Sequence, residues 1–376
     1  MVKRPKLRRR LKKAKEIVPE VVAGQVANLN PLNNQPDEPP KLEDIPTITT
    51  ENIGEHREQV LKGARKYIYP LAHSKRRIIA VTLSVVIIAI ISLLVYCSLA
   101  LYKFDQYNTF VYRITQVVPF PIAKAGGRYV DYENYLFELR HYVHYYESQQ
   151  QRDFAGADHQ QLVEFRKQAL TDVINEAYIK QLASQNHISV SDQEVNARLA
   201  EVRNQNRLGG NNKVFEDVLS SYWGWSINDF KRSLKQEMLS EKVAAKLDTG
   251  ANQRADAALA DLKAGANFTK LAKKVSDDPA AKSTGGDYGF AITNTNPNVP
   301  PEVINALFDM KVDQVSDIIL ASPILANQGP SLQIVKLTGK TSDSVTAEHI
   351  VFNLKDISNF IGPLEKQKPY KTYVHF

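Results

Sequence analysis

The sequence predicts an α+β protein in three parts: a single transmembrane helix, an all-α module, and an α+β domain with a small, mostly antiparallel sheet. Three observations carry this. Residues 78–102 contain no charged side chain. Apolar residues then recur at helical spacing through residue 248, and after Thr249 the pattern breaks into short helices, glycine turns and alternating runs. A length of 376 residues accommodates such a division.

Charge orders the N-terminal part. The chain holds 48 Lys and Arg against 41 Asp and Glu, a net of +7. Residues 1–77 carry 17 of the basic and 9 of the acidic side chains, a net of +8, which leaves −1 for residues 78–376. The basic excess belongs to one end, and the remainder has no surplus with which to hold phosphates, so no nucleic-acid partner is expected. Residues 1–49 read as a disordered, basic cytoplasmic tail, with a Lys3–Lys15 basic run and a stretch rich in Pro and Asn to Pro46. Its basic residues suit an anionic membrane surface. Residues 50–77 read as a juxtamembrane helix.

The run from Ile78 to Tyr102, centred on Val85–Ile91, would extend about 37 Å as a helix, enough for a hydrocarbon core of about 30 Å. A buried globular helix would carry a polar stripe over this length, and a signal peptide would be shorter and lack 77 preceding residues. The lipid bilayer is therefore an expected partner through residues 78–102. Lys75, Arg76 and Arg77 flank one side and only Lys103 and Arg113 the other. By the positive-inside rule the protein spans the cell membrane once, its N-terminus cytoplasmic and its C-terminal domains outside. The single cysteine, Cys97, lies in the span, so the exported part forms no disulfide.

Residues 103–127 read as a juxtamembrane linker, ending in Ala125-Gly126-Gly127. The all-α module covers 128–248. Asp131–Ser148 is a helix dense in tyrosine, and Leu162, Phe165, Ala169, Val173, Ala177 and Leu182 mark the buried face of a longer one. Ser191-Asp192-Gln193-Glu194 reads as a capping box opening a third helix. After a turn at Gly209–Asn212 and a short helix with Phe215, Ser226 caps a last helix through Phe230, Leu234, Met238 and Val243.

The α+β domain covers 249–355, with 356–376 as a C-terminal tail. Helices are expected over Ala255–Ala264, Phe268–Val275 and Pro301–Met310. Gly285–Phe290 reads as a tight turn into a strand, and Val315–Leu320, Leu332–Thr338 and Val345–Leu354 read as strands.

The run Gly265-Ala266-Asn267-Phe268, followed in order by Leu271-Ala272, Ser276-Asp277-Asp278, Gly285-Gly286-Asp287-Tyr288-Gly289, Ala306-Leu307-Phe308 and Gln333-Ile334-Val335-Lys336, resembles the parvulin family of peptidyl-prolyl isomerases. The helices before it resemble the chaperone module of SurA-like and PrsA-like exported foldases. One element is out of place. The family opens with a strand carrying Ala-x-His-Ile, whereas here the similar run Ala347-Glu348-His349-Ile350 comes near the end. Either the domain is circularly permuted, with Leu332–Thr338 and Val345–Leu354 forming a hairpin, or His349 opens a truncated second repeat.

Isomerising an X-Pro bond crosses a barrier near 18–20 kcal/mol and needs neither nucleophile nor cofactor. A catalyst must hold the proline in an apolar pocket and favour the twisted amide. The resemblance implies catalytic positions at His349, Asp278 and Gln333, and substrate-binding positions at Val299, Val303 and Phe308. The family's second histidine is replaced by Gln333, and its larger apolar residues by Val299 and Val303, which implies a shallow pocket. No cofactor and no metal is expected. His141, His144 and Glu147 lie at i, i+3, i+6 on one helix, a spacing that suits aromatic packing better than a three-ligand metal site. Gly285-Gly286-Asp287 lacks the Lys-Ser/Thr of a phosphate loop, so no nucleotide is expected. Tyr222, Trp223 and Trp225 are candidates for core packing or for contact with unfolded chain.

The resemblance thus implies a membrane-anchored foldase outside the cytoplasm that binds unfolded or nascent exported polypeptides and isomerises their prolyl bonds. Two alternatives stay open: a non-catalytic holdase with a degenerate domain, and a scaffolding subunit of a surface or secretion complex.

Overall fold

The computed structural model describes residues 49–376 apart from 69–70, 155, 157, 206–211 and 326–327. The expected basic tail and the glycines of the turn at 209–212 lie outside the described residues. The chain divides into two units, Met1–Val85 and Val86–Phe376. α1 covers Thr50–Ile68 and α2 covers Leu71–Tyr102, so residues 71–77, expected as part of the juxtamembrane helix, belong to the same helix as residues 78–102. Among the described residues one helical stretch, Ile78–Tyr102, is long and apolar enough to cross a membrane.

In the second unit the end of α2 changes character. Val86–Leu93 keeps its large apolar side chains outward, but Leu94 packs on the core of the helical module, and Cys97, Ala100 and Leu101 are buried in it. Helix ends leave carbonyls without partners. Here the Tyr132 hydroxyl donates to the Leu101 carbonyl at 2.7 Å, and that of Tyr102 to the Pro121 carbonyl at 2.7 Å. The last turn of α2 is thereby fixed into the folded module.

Residues 103–127, expected as a linker, are structured. Asn108 accepts from the Val111 amide at 3.0 Å and caps α3 (Thr109–Thr115). β1 (Pro121–Ala125) and β2 (Arg128–Asp131) form a hairpin. Gly126 and Gly127, at φ +58° and +87°, supply the left-handed pair that a two-residue hairpin turn requires.

The helical module follows the expected order: α4 (Tyr132–Gln150), α5 (His159–Gln185), α6 (Asp192–Gln205), α7 (Asn212–Trp223) and α8 (Ile227–Leu247). Ser191 and Glu194 make the box at the start of α6, and Ser226 with Asp229 the one at α8. Replacing Ser226 by alanine should lower stability by about 1 kcal/mol, read as a shifted urea midpoint. Trp225 stacks on Phe137 at 5.3 Å between ring centres and on His141 at 4.2 Å, while Tyr222 is exposed.

The segment 356–376, expected as a tail, also folds back. α13 (Ser358–Gln367) packs on α5, and β7 (Lys371–Thr372) pairs antiparallel with β1, giving the order β2-β1-β7. Phe376 stacks on Tyr135 at 5.7 Å, and Tyr178 donates to the Lys368 carbonyl at 2.7 Å. Apolar residues at Ile361, Leu364 and Val374 explain the return, since each is buried in the module's core.

The α+β part comprises α9 (Thr249–Lys263), α10 (Phe268–Val275), α11 (Pro279–Thr284), β3 (Ile292–Thr293), α12 (Pro301–Asp309), β4 (Ile319–Ala321), β5 (Ser331–Lys340) and β6 (Ser344–Asn353). The sheet is antiparallel, in the order β3-β6-β5-β4. The strand expected after Phe290 shortens to β3. Of the one expected over Val315–Leu320, only its end joins β4, because Val315 makes a separate bridge to Lys336. Alternation along β5 and β6 puts Leu332, Ile334, Ile350 and Phe352 on the face covered by α9 and α10. Val335, Leu337, Val345 and Ala347 lie on the opposite face, against α12.

β5 and β6 form the hairpin that a permuted domain requires, with Val335 opposite His349. β6 lies between β3 and β5 in this sheet.

Candidate functional site

His349 stands on β6, and the chain from Ser276 to Gly286 is fastened to that strand along its length. The Ser276 hydroxyl accepts from the Val351 amide at 3.0 Å. The Asp277 amide donates to the Val351 carbonyl at 2.7 Å, and its carboxylate accepts from the Asn353 amide at 2.9 Å while paired with Arg254. These bonds fix Asp278, whose two oxygens are divided. One caps α11 by accepting from the Ala280 amide at 3.0 Å, and the other lies 3.0 Å from His349 Nε2.

The opposite edge of the imidazole meets Gly286, whose carbonyl is 2.8 Å from Nδ1 and also accepts from the His349 amide at 2.8 Å. A carbonyl only accepts, so Nδ1 carries a hydrogen. The proton between Nε2 and Asp278 then belongs to one of them: an imidazolium facing a carboxylate, or a neutral ring accepting from a carboxylic acid. In either form the ring is held at both edges. Tyr288 holds its face, stacked at 4.0 Å between centres and inclined by 19°. Gly286 and Ala347 make the backbone side of this cradle, the Tyr288 amide donating to the Ala347 carbonyl at 3.3 Å.

The ring lines a cleft of about 550 Å³ that also contains Asp278, Tyr288, Gln333 and Val351. Gln333 Nε2 donates to the Ser331 hydroxyl at 3.1 Å, while its Oε1 is buried without a partner. The Tyr288 hydroxyl is likewise buried without a partner. Burial, then the nearby Asp278 charge, pushes the Tyr288 phenol well above its ordinary range, so it remains a donor at neutral pH.

The structure therefore brings three of the sequence-predicted positions, His349, Asp278 and Gln333, to one cleft. The other three are elsewhere. Val299, just before α12, and Val303, on its inner side, are fully buried in the core, and Phe308 on the same helix packs half-buried against that core. None of the three lines the cleft, because Asn298 and Pro300 face it while Val299 between them points inward. The apolar lining comes instead from Phe290, Pro300, Pro323, Ile324 and Leu354. Tyr288 and Phe290 lay within the Gly-Gly-Asp-Tyr-Gly-Phe run, and the turn that aims both at one side was the available signal. Among the described residues no group of three or more His, Cys, Asp or Glu is arranged to hold a metal ion. His144 Nε2 meets the Ser221 carbonyl at 3.2 Å, and His141 lies against Trp225.

Behind one wall of the cleft lies a polar contact with the helical module. The Ser322 hydroxyl is 2.9 Å from carboxylates of both Glu241 on α8 and Glu302 on α12. Arg198 on α6 pairs with Glu302 and reaches Glu241 at 3.5 Å and Glu201 at 3.8 Å. Ser322, Pro323 and Ile324 also line the cleft itself.

Comparison with known families places both parts. Residues 73–244 match the SurA-like N-terminal domain, and residues 237–339 match the PPIC-type PPIase domain. Together the two matches run from residue 73 to residue 339, a helical part similar to SurA-like domains followed by a part similar to PPIC-type isomerase domains. The second match stops at Gly339, five residues before β6, as a collinear comparison must if the histidine strand is out of order.

Among curated proteins, foldase protein PrsA of Streptococcus gordonii is 32% identical over 149 residues, 39% of this chain and 47% of that one. PrsA of Streptococcus pneumoniae (strain Hungary19A-6) is 39% identical over 93 residues, 25% and 29% of the two chains. The chain spans less than half the length of these relatives. A solved PrsA structure from Streptococcus pneumoniae gives 22% identity and a TM-score of 0.18 over 53% of this chain and 75% of that one. One of the SurA-like chaperones PEB4 and Cj1289 of Campylobacter jejuni gives 14% and 0.26 over 67% and 98%.

Proposed function

We propose that this chain is a membrane-anchored foldase acting outside the cytoplasm. Its helical module would bind unfolded or nascent exported polypeptides, and its cleft would isomerise their prolyl bonds. The observation that carries the reading is His349, held on three sides and presented to a cleft lined by Pro300, Pro323, Ile324 and Phe290. Catalysis of this rotation requires an amide taken out of water and a polar surrounding that suits the twisted state better than either planar one. The apolar lining removes water from the prolyl ring. The imidazole–Asp278 pair fixes the local charge, and the Tyr288 hydroxyl is a donor with no partner of its own. The topology is part of the proposal: Lys75, Arg76 and Arg77 mark the cytoplasmic end of the span, and Val86–Phe376 lies largely beyond the bilayer.

The test is the full chain in lipid nanodiscs with a proline-containing peptide, measuring cis–trans exchange by NMR. His349→Ala should lower the exchange rate by about tenfold or more, equivalent to about 1.4 kcal/mol per decade in barrier. Exchange no faster than in buffer removes the catalytic reading. One observation favours a second reading, a holdase without turnover: Gln333 stands where the family resemblance expects another imidazole. That reading requires suppression of client aggregation to be the same in the His349→Ala protein.

A further inference from the structure

We propose that α3 and its flanking residues form a membrane-docking face, seated in the headgroup region beside the point where α2 leaves the bilayer. This rests on the reading of residues 78–102 as a span and goes beyond it, because it assigns a lipid contact to the folded module.

The argument starts from depth. A helix rising about 1.5 Å per residue from Ile78 crosses a hydrocarbon core of about 30 Å in about 20 residues. The far boundary therefore falls near residues 98–100. Tyr96 and Leu99 lie at that level, and both are exposed, although Cys97, Ala100 and Leu101 on the other side of the same turns are buried in the module. The module thus covers one side of the helix and leaves the other for lipid.

α3 is held at the same depth. The chain leaves α2 at Tyr102, turns through residues 103–108 and comes back, so that the Phe110 ring lies 6.3 Å from that of Tyr96. On α3, Val111 and Thr115 are buried. Its outward side carries Phe110 and Arg113 at i and i+3, and Val117 follows in the turn just after the helix, also exposed. Phe110 is 52% and Val117 81% exposed, and Phe104, in the preceding turn, is 60% exposed. Water is a poor environment for three large apolar side chains adjoining an apolar span. The interface suits them, because apolar and aromatic groups reach the acyl boundary while cations stay with phosphate. Lys103 and Arg113 are exposed among them and supply that cationic component. The apolar surface is continuous with the span through the Tyr96–Phe110 contact, which selects lipid over a soluble partner as the occupant.

The experiment uses the full chain in vesicles of phosphatidylcholine and phosphatidylglycerol, in a Cys97→Ala background. Spin labels are attached through Ile88→Cys, Phe110→Cys, Val117→Cys and Val312→Cys in turn. Positions 110, 117 and 312 are exposed, so none of these changes disturbs a core. Collision rates with oxygen, which enters lipid, and with a water-soluble nickel chelate report depth. Labels at 110 and 117 should meet the nickel chelate several-fold less often than the label at 312, and oxygen more often. A label at 88 shielded from nickel while those at 110 and 117 match 312 leaves the span intact and overturns the docking face. A label at 88 open to nickel overturns both. Labels at 110 and 117 shielded from oxygen and nickel alike would mean a protein partner on this face, and also overturn the proposal.

Discussion

Replacing Arg198 by alanine should cost the protein about 3–5 kcal/mol at pH 7.5 and considerably less at pH 5. Arg198 is the cation among Glu201, Glu241 and Glu302, and Glu237 lines the same cavity. Its side chain is 12% exposed and that of Glu241 only 8%, so solvent cannot take over its role. The carboxyl of Glu241 is pushed up to about 7, first by burial, with Arg198 and the Ser322 hydrogen bond opposing the rise and Glu237 and Glu302 adding to it. Burial likewise raises Glu201 and Glu237 above the usual carboxylate range.

The sign follows from proton counting. Between about pH 4.5 and 7 the folded protein holds a proton on Glu241 that the unfolded chain has released. The group's favourable contribution is therefore full below about 4.5 and is lost as pH rises through about 7. Glu138, pushed up to about 7 by burial and then by Glu176 and Asp172, acts in the same direction. Removing Arg198 takes away the charge that opposes protonation, so the carboxyls rise further and the loss with pH steepens. Thermal unfolding of both proteins at the two pH values checks this. Equal losses at pH 5 and 7.5 would mean that Arg198 acts by packing alone. Glu241→Gln should flatten the wild-type slope without the cost of leaving unpaired charge.

Gly286→Ala should destabilise the protein by about 2–4 kcal/mol and abolish exchange at temperatures where the variant is still folded. Gly286 sits at φ +97°, and a Cβ there would lie 2.8 Å from the His349 carbonyl oxygen and 3.2 Å from its amide nitrogen. Backbone strain alone accounts for about 1–2 kcal/mol. The remainder arises because β6 must move away, and the Gly286 carbonyl accepts from both the amide and the ring of His349. Moving it turns the imidazole from Asp278. Gly289→Ala is the matched control, since Gly289 is at φ +75° with nothing within 4 Å of its added Cβ. It should cost the strain term only and leave exchange intact. Equal effects at the two positions would show that close approach to His349 does not matter.

What the sequence made legible divides along physical lines. Helix periodicity located α4 through α8 because each buries one stripe, and the Ser191–Glu194 capping box and the Ser226 cap fixed the starts of α6 and α8. The resemblance supplied His349 and Asp278 even though 70 residues of chain separate them, since each sits in a short motif of its own. Val299 and Val303 were misplaced because position along a motif does not say which way a side chain points. In the extended turn before α12, adjacent residues face opposite sides, so Pro300 enters the cleft and Val299 the core. The return of residues 356–376 was hidden for another reason. β7 has two residues, too few for any alternation, and its partner lies in β1 at the far end of the unit. The Arg198 contact was equally hidden, because its charged members sit on three helices far apart in the chain.

The pairing of β7 with β1 joins Lys371 to Lys124, about 250 positions apart in the chain. Everything from α4 to β6 is therefore a loop enclosed by one short ladder, and such distant closure is slow compared with local hairpins and helix pairs. A chain emerging from its N-terminus would insert α2 first and could next assemble the β5–β6 hairpin and its covering helices from neighbouring sequence. The sheet of the helical module completes only after residue 372 has arrived. The part that would receive other polypeptides is thus the last to mature, and the protein's own prolyl-isomerase-like domain is complete before the sheet of the helical module closes.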